Sequence, residues 1–100
     1  MQIATVIGSV WATKKEEILN GLKFLIVQPE YPNGEKLNAP YIAVDRIGAG
    51  VGDKVMVTKG SSANNINEDN RLPIDALIIG IIDSIDVERD EDDAKGIGDD

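Results

Sequence analysis

The run Leu72-Pro-Ile-Asp-Ala-Leu-Ile-Ile-Gly-Ile-Ile-Asp-Ser-Ile-Asp-Val87 is the most apolar stretch of the chain and places the strongest constraint on its fold. Isoleucine dominates the run, and β-branched side chains lose little rotamer freedom in an extended backbone. The run therefore predicts a strand that is buried on both faces up to Ile82, where truncating Ile79 or Ile81 to Ala costs about 2–5 kcal/mol. Polar and apolar residues alternate from Asp83 to Val87, which predicts that the strand continues there with one face in water.

Length and composition indicate one small domain that needs additional stabilisation. The chain has 100 residues, 42% of them hydrophobic, which fits a single globular unit. It contains no cysteine, so neither disulfides nor thiolate metal sites can stabilise it, and oligomerisation is the remaining route. No apolar run is long enough to span a bilayer and the start lacks a signal-peptide pattern, so we expect a cytoplasmic protein without membrane contact.

Charge divides the chain near residue 87. Residues 86–100 contain eight acidic and two basic side chains, a net charge of −6 out of −8 for the whole chain. This segment has too few apolar residues to bury, which is typical of disorder. We therefore expect a globular domain at residues 1–87 and a disordered acidic tail at residues 88–100.

Four further strand patterns precede the apolar run, at residues 2–13, 22–28, 41–47 and 53–59. With five strands close together in sequence and almost no helical pattern, the fold class predicted is all-β. A small five-stranded OB-like barrel, antiparallel and partly open, is the expected closure.

Local patterns refine this picture. Gly8 is expected to form a bulge or bend in the first strand, and the segment ending at Gly21 favours one helical turn or a plain loop. Asn33-Gly34 supplies the positive φ of a hairpin turn. Alternation places Val55 and Val57 inward in the fourth strand.

Residues able to carry chemistry are scarce. The chain has no histidine and no cysteine, which removes the usual catalytic bases, nucleophiles and transition-metal ligands. Gly48-Ala-Gly-Val-Gly52 has the wrong spacing for a dinucleotide site and precedes a strand, so it is interpreted as a tight turn. Asn65–Asn70 lacks the glycine and terminal glutamate of a calcium loop. We therefore expect no catalytic residue, no cofactor and no metal.

Barrels of this type often bind oligonucleotides, but the net charge of −8 and the aromatic content of 4% disfavour nucleic acid. A ligand- or nucleic-acid-binding OB-like module without catalytic activity stays the alternative function.

Ordered motifs point to a family. Val44-Asp-Arg-Ile-Gly-Ala-Gly-Val-Gly-Asp-Lys-Val55, Thr58-Lys-Gly-Ser-Ser-Ala63, Leu72-Pro-Ile-Asp-Ala76 and Ile79-Gly-Ile-Ile-Asp83 occur in this order. Together with the opening Met1-Gln-Ile-Ala4, they resemble the EutN/CcmL family, the pentameric vertex proteins of bacterial microcompartments. The resemblance covers roughly residues 1–87.

The resemblance implies a structural role without catalysis. It implies a homopentamer that closes the vertices of a polyhedral shell, with hexameric microcompartment shell proteins as partners, in either a carboxysome or a catabolic metabolosome. It also places a set of residues at subunit contacts or around the axial pore: Gly48, Ala49, Gly50, Val51, Gly52, Ser61, Ser62 and Ala63. Among them, Gly50 is expected to need a special φ or close packing.

Overall fold

The computed structural model describes residues 1–13, 17–60 and 75–88. These ranges contain five strands and one short helix: β1 (Gln2–Val10), a 3-10 helix (Glu17–Leu19), β2 (Lys23–Glu30), β3 (Tyr41–Asp45), β4 (Lys54–Lys59) and β5 (Ala76–Ile81). The all-β prediction is confirmed. The predicted polar loop after Gly60 and the acidic tail after Glu88 lie outside the described residues.

The five strands form a closed barrel in the order β1, β2, β3, β5, β4, with β4 pairing back to β1. Four of the pairings are antiparallel, whereas β3 and β5 run parallel, with Val44 opposite Leu77 and Asp45 opposite Ile78. The predicted five-stranded OB-like barrel is confirmed, but it is closed rather than partly open and not wholly antiparallel. The parallel pair arises because β5 inserts between β3 and β4.

The inside of the barrel is filled by aliphatic side chains, mostly small ones, as the narrow interior of a five-stranded barrel requires. The strand residues that are at most 1% exposed are Ala4, Val6, Leu25, Val27, Ala43, Val55, Val57, Ala76 and Ile78. The predicted inward orientation of Val55 and Val57 is therefore confirmed.

The outer face of the barrel carries a second, smaller apolar cluster. Val44 and Leu77 lie opposite each other in register and are 2% exposed, with Leu22 and Phe24 packed against them. Together with the burial of Ala76 and Ile78, this cluster buries β5 on both faces at its start, as predicted.

The end of β5 differs from the prediction. Ile79 and Ile81 are 40% and 42% exposed, so their truncation does not create a core cavity. The last β3 partner of β5 is Asp45, opposite Ile78, and beyond it one side of β5 has no strand to cover it. A register shift against β4 between Ile78 and Gly80 also makes Ile79 a bulge residue.

The chain leaves the barrel after Ile81, so the predicted strand through Val87 is wrong. The backbone N–H of Ile82 still donates to the carbonyl of Lys54 (2.7 Å), after which the chain bends at Asp83. Ile85 is half-buried and Val87 is exposed. The alternation in this segment therefore reflects packing along the outside of the barrel rather than sheet pairing.

Predicted turns and bulges are found at the glycines. β1 shifts register against β2 between Val6 and Gly8, which confirms the bulge. Gly21, with φ +85°, follows the single helical turn, and Gly34, with φ +94°, completes the hairpin turn after β2. In that turn the N–H of Gly34 donates to the carbonyl of Tyr31 (2.9 Å). Within residues 1–13, 17–60 and 75–88, no helix is long and apolar enough to cross a bilayer.

Candidate subunit-contact site

The glycine-rich segment, residues 46–53, joins β3 to β4 and covers one end of the barrel; we call it the cap loop. Ala49 at its centre is fully buried and belongs to the barrel core cluster. The small methyl group of Ala49 thus plugs the barrel end while the rest of the loop stays at the surface. The loop is part of the folded core and not a free surface connection.

Asp45 holds the first half of the cap loop in place. Its Oδ1 accepts from the N–H of Ile47 (3.1 Å) and its Oδ2 from the N–H of Ala49 (2.8 Å). Lys23 Nζ on β2 lies 3.7 Å from Asp45 Oδ2 and donates to the carbonyl of Ala49 (2.7 Å). The buried carboxylate therefore has hydrogen-bonding partners and a counter-charge, which a buried charge needs in order not to destabilise the fold.

Asp53 and β1 hold the second half. Asp53 Oδ2 accepts from the N–H of Gly50 (2.8 Å), and the N–H of Asp53 donates to the carbonyl of Gly50 (3.0 Å). Two backbone bonds then join the loop to the β1 bulge, from Val6 to Asp53 (2.9 Å) and from Gly52 to Val6 (2.8 Å). The cap loop is thus fixed to β1, β2 and β3.

Gly48 and Gly52 adopt positive φ, at +94° and +95°, whereas Gly50 does not. A Cβ added at Gly50 would meet only Asp53 Oδ2, at an ordinary 3.9 Å. Within one protomer the expectation of a special φ or close packing at Gly50 is therefore wrong, and the conformational requirement lies at the two glycines around it.

The fixed backbone presents apolar side chains to solvent. Val51, at the tip of the cap loop, is 70% exposed, and Ile47 is 48% exposed. Trp11, just beyond the end of β1 at the same end of the barrel, is 92% exposed. Apolar side chains held outward on a rigid loop are typical of a protein contact surface.

A second apolar surface lies towards the opposite end of the barrel. It is a groove of about 570 Å³, and its apolar lining comes from the first residues of the chain, the turn after β2, the outer face of β4 and the segment after β5. Ile3 lines it between Glu30 on β2 and Met56 on β4, which are its partners in register. We call this surface the wall groove; its apolar lining residues include Met1, Ile3, Tyr31, Leu37, Met56 and Ile85.

A polar network forms one edge of the wall groove. Glu30 Oε2 accepts from Thr5 Oγ1 (2.9 Å) and Glu30 Oε1 from Lys54 Nζ (2.9 Å), which ties β2, β1 and β4 together. Burial alone would raise the pKa of the Glu30 carboxyl, but these hydrogen bonds and the charges of Lys54 and Lys36 outweigh burial and lower the pKa below its ordinary value.

Of the predicted contact residues, Gly48 to Gly52 come together in the cap loop, with only Ala49 turned inward. Ser61, Ser62 and Ala63 lie outside the described residues. Sequence reasoning missed the wall groove, although Met56 between the inward Val55 and Val57 indicated an outward apolar residue. In the described part of the chain, no group of three or more acidic residues could hold a metal ion.

Comparison with known proteins gives a consistent result. A family model described as ethanolamine utilisation protein EutN/carboxysome matches residues 1–83. The carboxysome shell vertex protein CcmL of Synechococcus elongatus is 42% identical over 89% of this chain and 90% of its own length. The bacterial microcompartment shell vertex protein PduN of Salmonella typhimurium is 37% identical over 85% of this chain and 98% of its own length.

Solved structures agree with the sequences. The GrpN pentameric microcompartment shell protein from Rhodospirillum rubrum superposes with a TM-score of 0.78 at 35% identity. The match covers 89% of this chain and 100% of that protein.

Proposed function

This chain belongs to the EutN/CcmL family of microcompartment shell vertex proteins, and on that basis we propose that five copies form a ring closing a vertex of a polyhedral shell. The protein is a structural subunit of a bacterial microcompartment shell and not an enzyme. The main support for the proposed pentamer is the similarity to a pentameric shell protein, which extends over the full length of that relative at 35% identity.

The protomer supports this proposal physically. A small domain without disulfides gains stability from a partner, and exposed apolar side chains on a rigid loop gain from being covered. A five-fold ring has a heterologous interface, in which one surface of each subunit meets a different surface of the next. The cap loop and the wall groove are two such surfaces on one protomer.

We further propose that Gly48, Gly50, Val51 and Gly52 lie at or near subunit contacts, together with Ser61, Ser62 and Ala63. The exposed Val51 and Ile47 on the fixed cap loop support the first part of this assignment. The second part rests on the family resemblance of Thr58–Ala63. Hexameric shell proteins are the proposed lateral partners of the assembled ring.

Oligomeric mass tests the ring directly. Light scattering after size-exclusion chromatography should give about 54 kDa, five times the 10.8 kDa of one chain. Native mass spectrometry at micromolar concentration should show the same species. A monomer or dimer under these conditions would contradict the pentamer.

Shell closure tests the role of the ring. Co-expression with hexameric shell proteins should give closed polyhedral particles in electron micrographs, whereas the hexameric proteins alone should give open sheets or tubes. Closed particles that form equally well without this chain would exclude a vertex role.

A further inference from the structure

We infer that the cap loop of one subunit packs into the wall groove of the next copy, so that the ring is built head to tail along the barrels. This inference rests on the proposed pentamer and specifies which two surfaces meet. The proposed occupant of the wall groove is a second copy of this chain.

The cap loop and the wall groove lie towards different ends of one subunit. β1 runs from the wall groove, where Met1 and Ile3 line it, to the cap loop, where Val6 is bonded to Gly52 and Asp53. The turn at Tyr31 also borders the groove, and it lies at the end of the barrel opposite the cap loop. Two different apolar surfaces towards opposite ends of one subunit are what a head-to-tail contact requires.

The cap loop and the wall groove are complementary in shape and polarity. Val51 protrudes from a loop whose backbone is already fixed within the protomer, so its burial costs little ordering. The wall groove is concave and mostly apolar, with a volume of about 570 Å³. An aliphatic knob and an apolar groove match each other, and both lose exposed apolar area when they meet.

Charge agrees with this pairing. Arg46 on the cap loop is exposed and makes no ion pair with other residues of the described ranges. The segment that flanks the groove carries Asp86 and Glu88, and the neighbouring turn carries Glu35. A basic residue at one surface and acidic residues around the other favour contact between unlike ends over contact between like ends.

Engineered cysteines test the pairing, because the chain contains none of its own. The double variant Val51→Cys with Met56→Cys, treated with a short bismaleimide, should give a covalent ladder that ends at five subunits. Each single variant alone should stay monomeric on a denaturing gel, and a mixture of the two should stop at dimers.

The matched control is Val51→Cys with Ile42→Cys. Ile42 is 50% exposed on β3 and does not line the groove, so this pair should give no ladder. A pentameric native mass without a ladder from the Val51/Met56 pair, or an equal ladder from the control, would overturn the pairing while leaving the pentamer intact. A monomeric native mass of the unmodified chain would instead contradict the proposed function itself.

A charge placed in the groove gives a second, independent measurement. Met56→Lys should raise the concentration at which the ring dissociates by about tenfold or more, because a charged side chain in place of an apolar one would lose its hydration at the contact. Ile42→Lys should leave that concentration unchanged. Far-UV circular dichroism confirms that both variants fold, and a Met56→Lys ring as stable as the parent ring would overturn the inference.

Discussion

Val55 and Val57 on the inner wall of the barrel are fully buried, whereas Val51 in the cap loop just before them is 70% exposed. The same contrast separates Ile78, which is 1% exposed, from its neighbour Ile79 at 40%. One set of aliphatic side chains stabilises the protomer, and the other gains burial only when a second molecule covers it. Residue type therefore does not reveal which set a side chain belongs to.

Truncation of a core side chain should have the largest effect on the free energy of unfolding, in contrast to truncation of an exposed aliphatic side chain. Leu25→Ala removes a side chain that is 1% exposed and should lower the free energy of unfolding by about 2–5 kcal/mol. Ile79→Ala should cost a single protomer about 1 kcal/mol or less, because Ile79 is already partly in water.

Denaturant unfolding at two protein concentrations distinguishes the two variants. The loss of unfolding free energy caused by Leu25→Ala should be the same at both concentrations. If a neighbouring subunit covers Ile79 in the ring, the loss caused by Ile79→Ala should change with concentration. Equal, concentration-independent losses would remove the distinction between the two sets.

The anchor of the cap loop should give the next largest effect. Asp45→Ala leaves the N–H groups of Ile47 and Ala49 without their acceptor and should cost about 1–3 kcal/mol. Asp83→Ala, at an exposed bend, is the matched control and should change the unfolding free energy little. An Asp45→Ala variant as stable as this control would show that the carboxylate does not hold the loop.

The glycines of the cap loop sharpen the comparison within one segment. Gly52→Ala introduces a side chain at φ +95° and should cost about 1–2 kcal/mol, whereas Gly50→Ala should be nearly neutral for the protomer. Because Gly50 is not strained in the protomer, loss of the pentameric mass in Gly50→Ala would report a close subunit contact. Thermal melting and native mass of both variants make this test, and equal melting temperatures would contradict the φ argument.

The smallest effect expected is the pH dependence due to Glu30. Its folded-state pKa lies below the ordinary value of 4.5, so its stabilising contribution is present above that value and is lost as pH falls through the lowered pKa. Glu30→Gln should therefore flatten the dependence of unfolding free energy on pH below about 4.5. An unchanged acid slope would show that the Thr5 and Lys54 contacts contribute nothing.

The sequence allowed the strands and the cap loop to be predicted, but not the wall groove. The strands, the Gly8 bulge and the Gly34 turn follow from local rules, because β-branched alternation and positive φ act over a few residues. The wall groove could not be predicted in this way, since its walls come from four separate segments that only the closed barrel brings together.

By itself, the sequence determined that this chain is all-β, that it has no histidine or cysteine for chemistry, and, through its ordered motifs, which family it belongs to. Only the tertiary structure decided which of the described apolar residues in the 72–87 run are buried and which are exposed. Ile78 is buried because it pairs with Val57 and packs in the barrel core, whereas Ile79 is a bulge residue and Ile81 lies beyond the last residue of β5 that pairs with β3. A side chain's burial depends on which neighbour the fold places next to it, and residue type alone does not specify that neighbour.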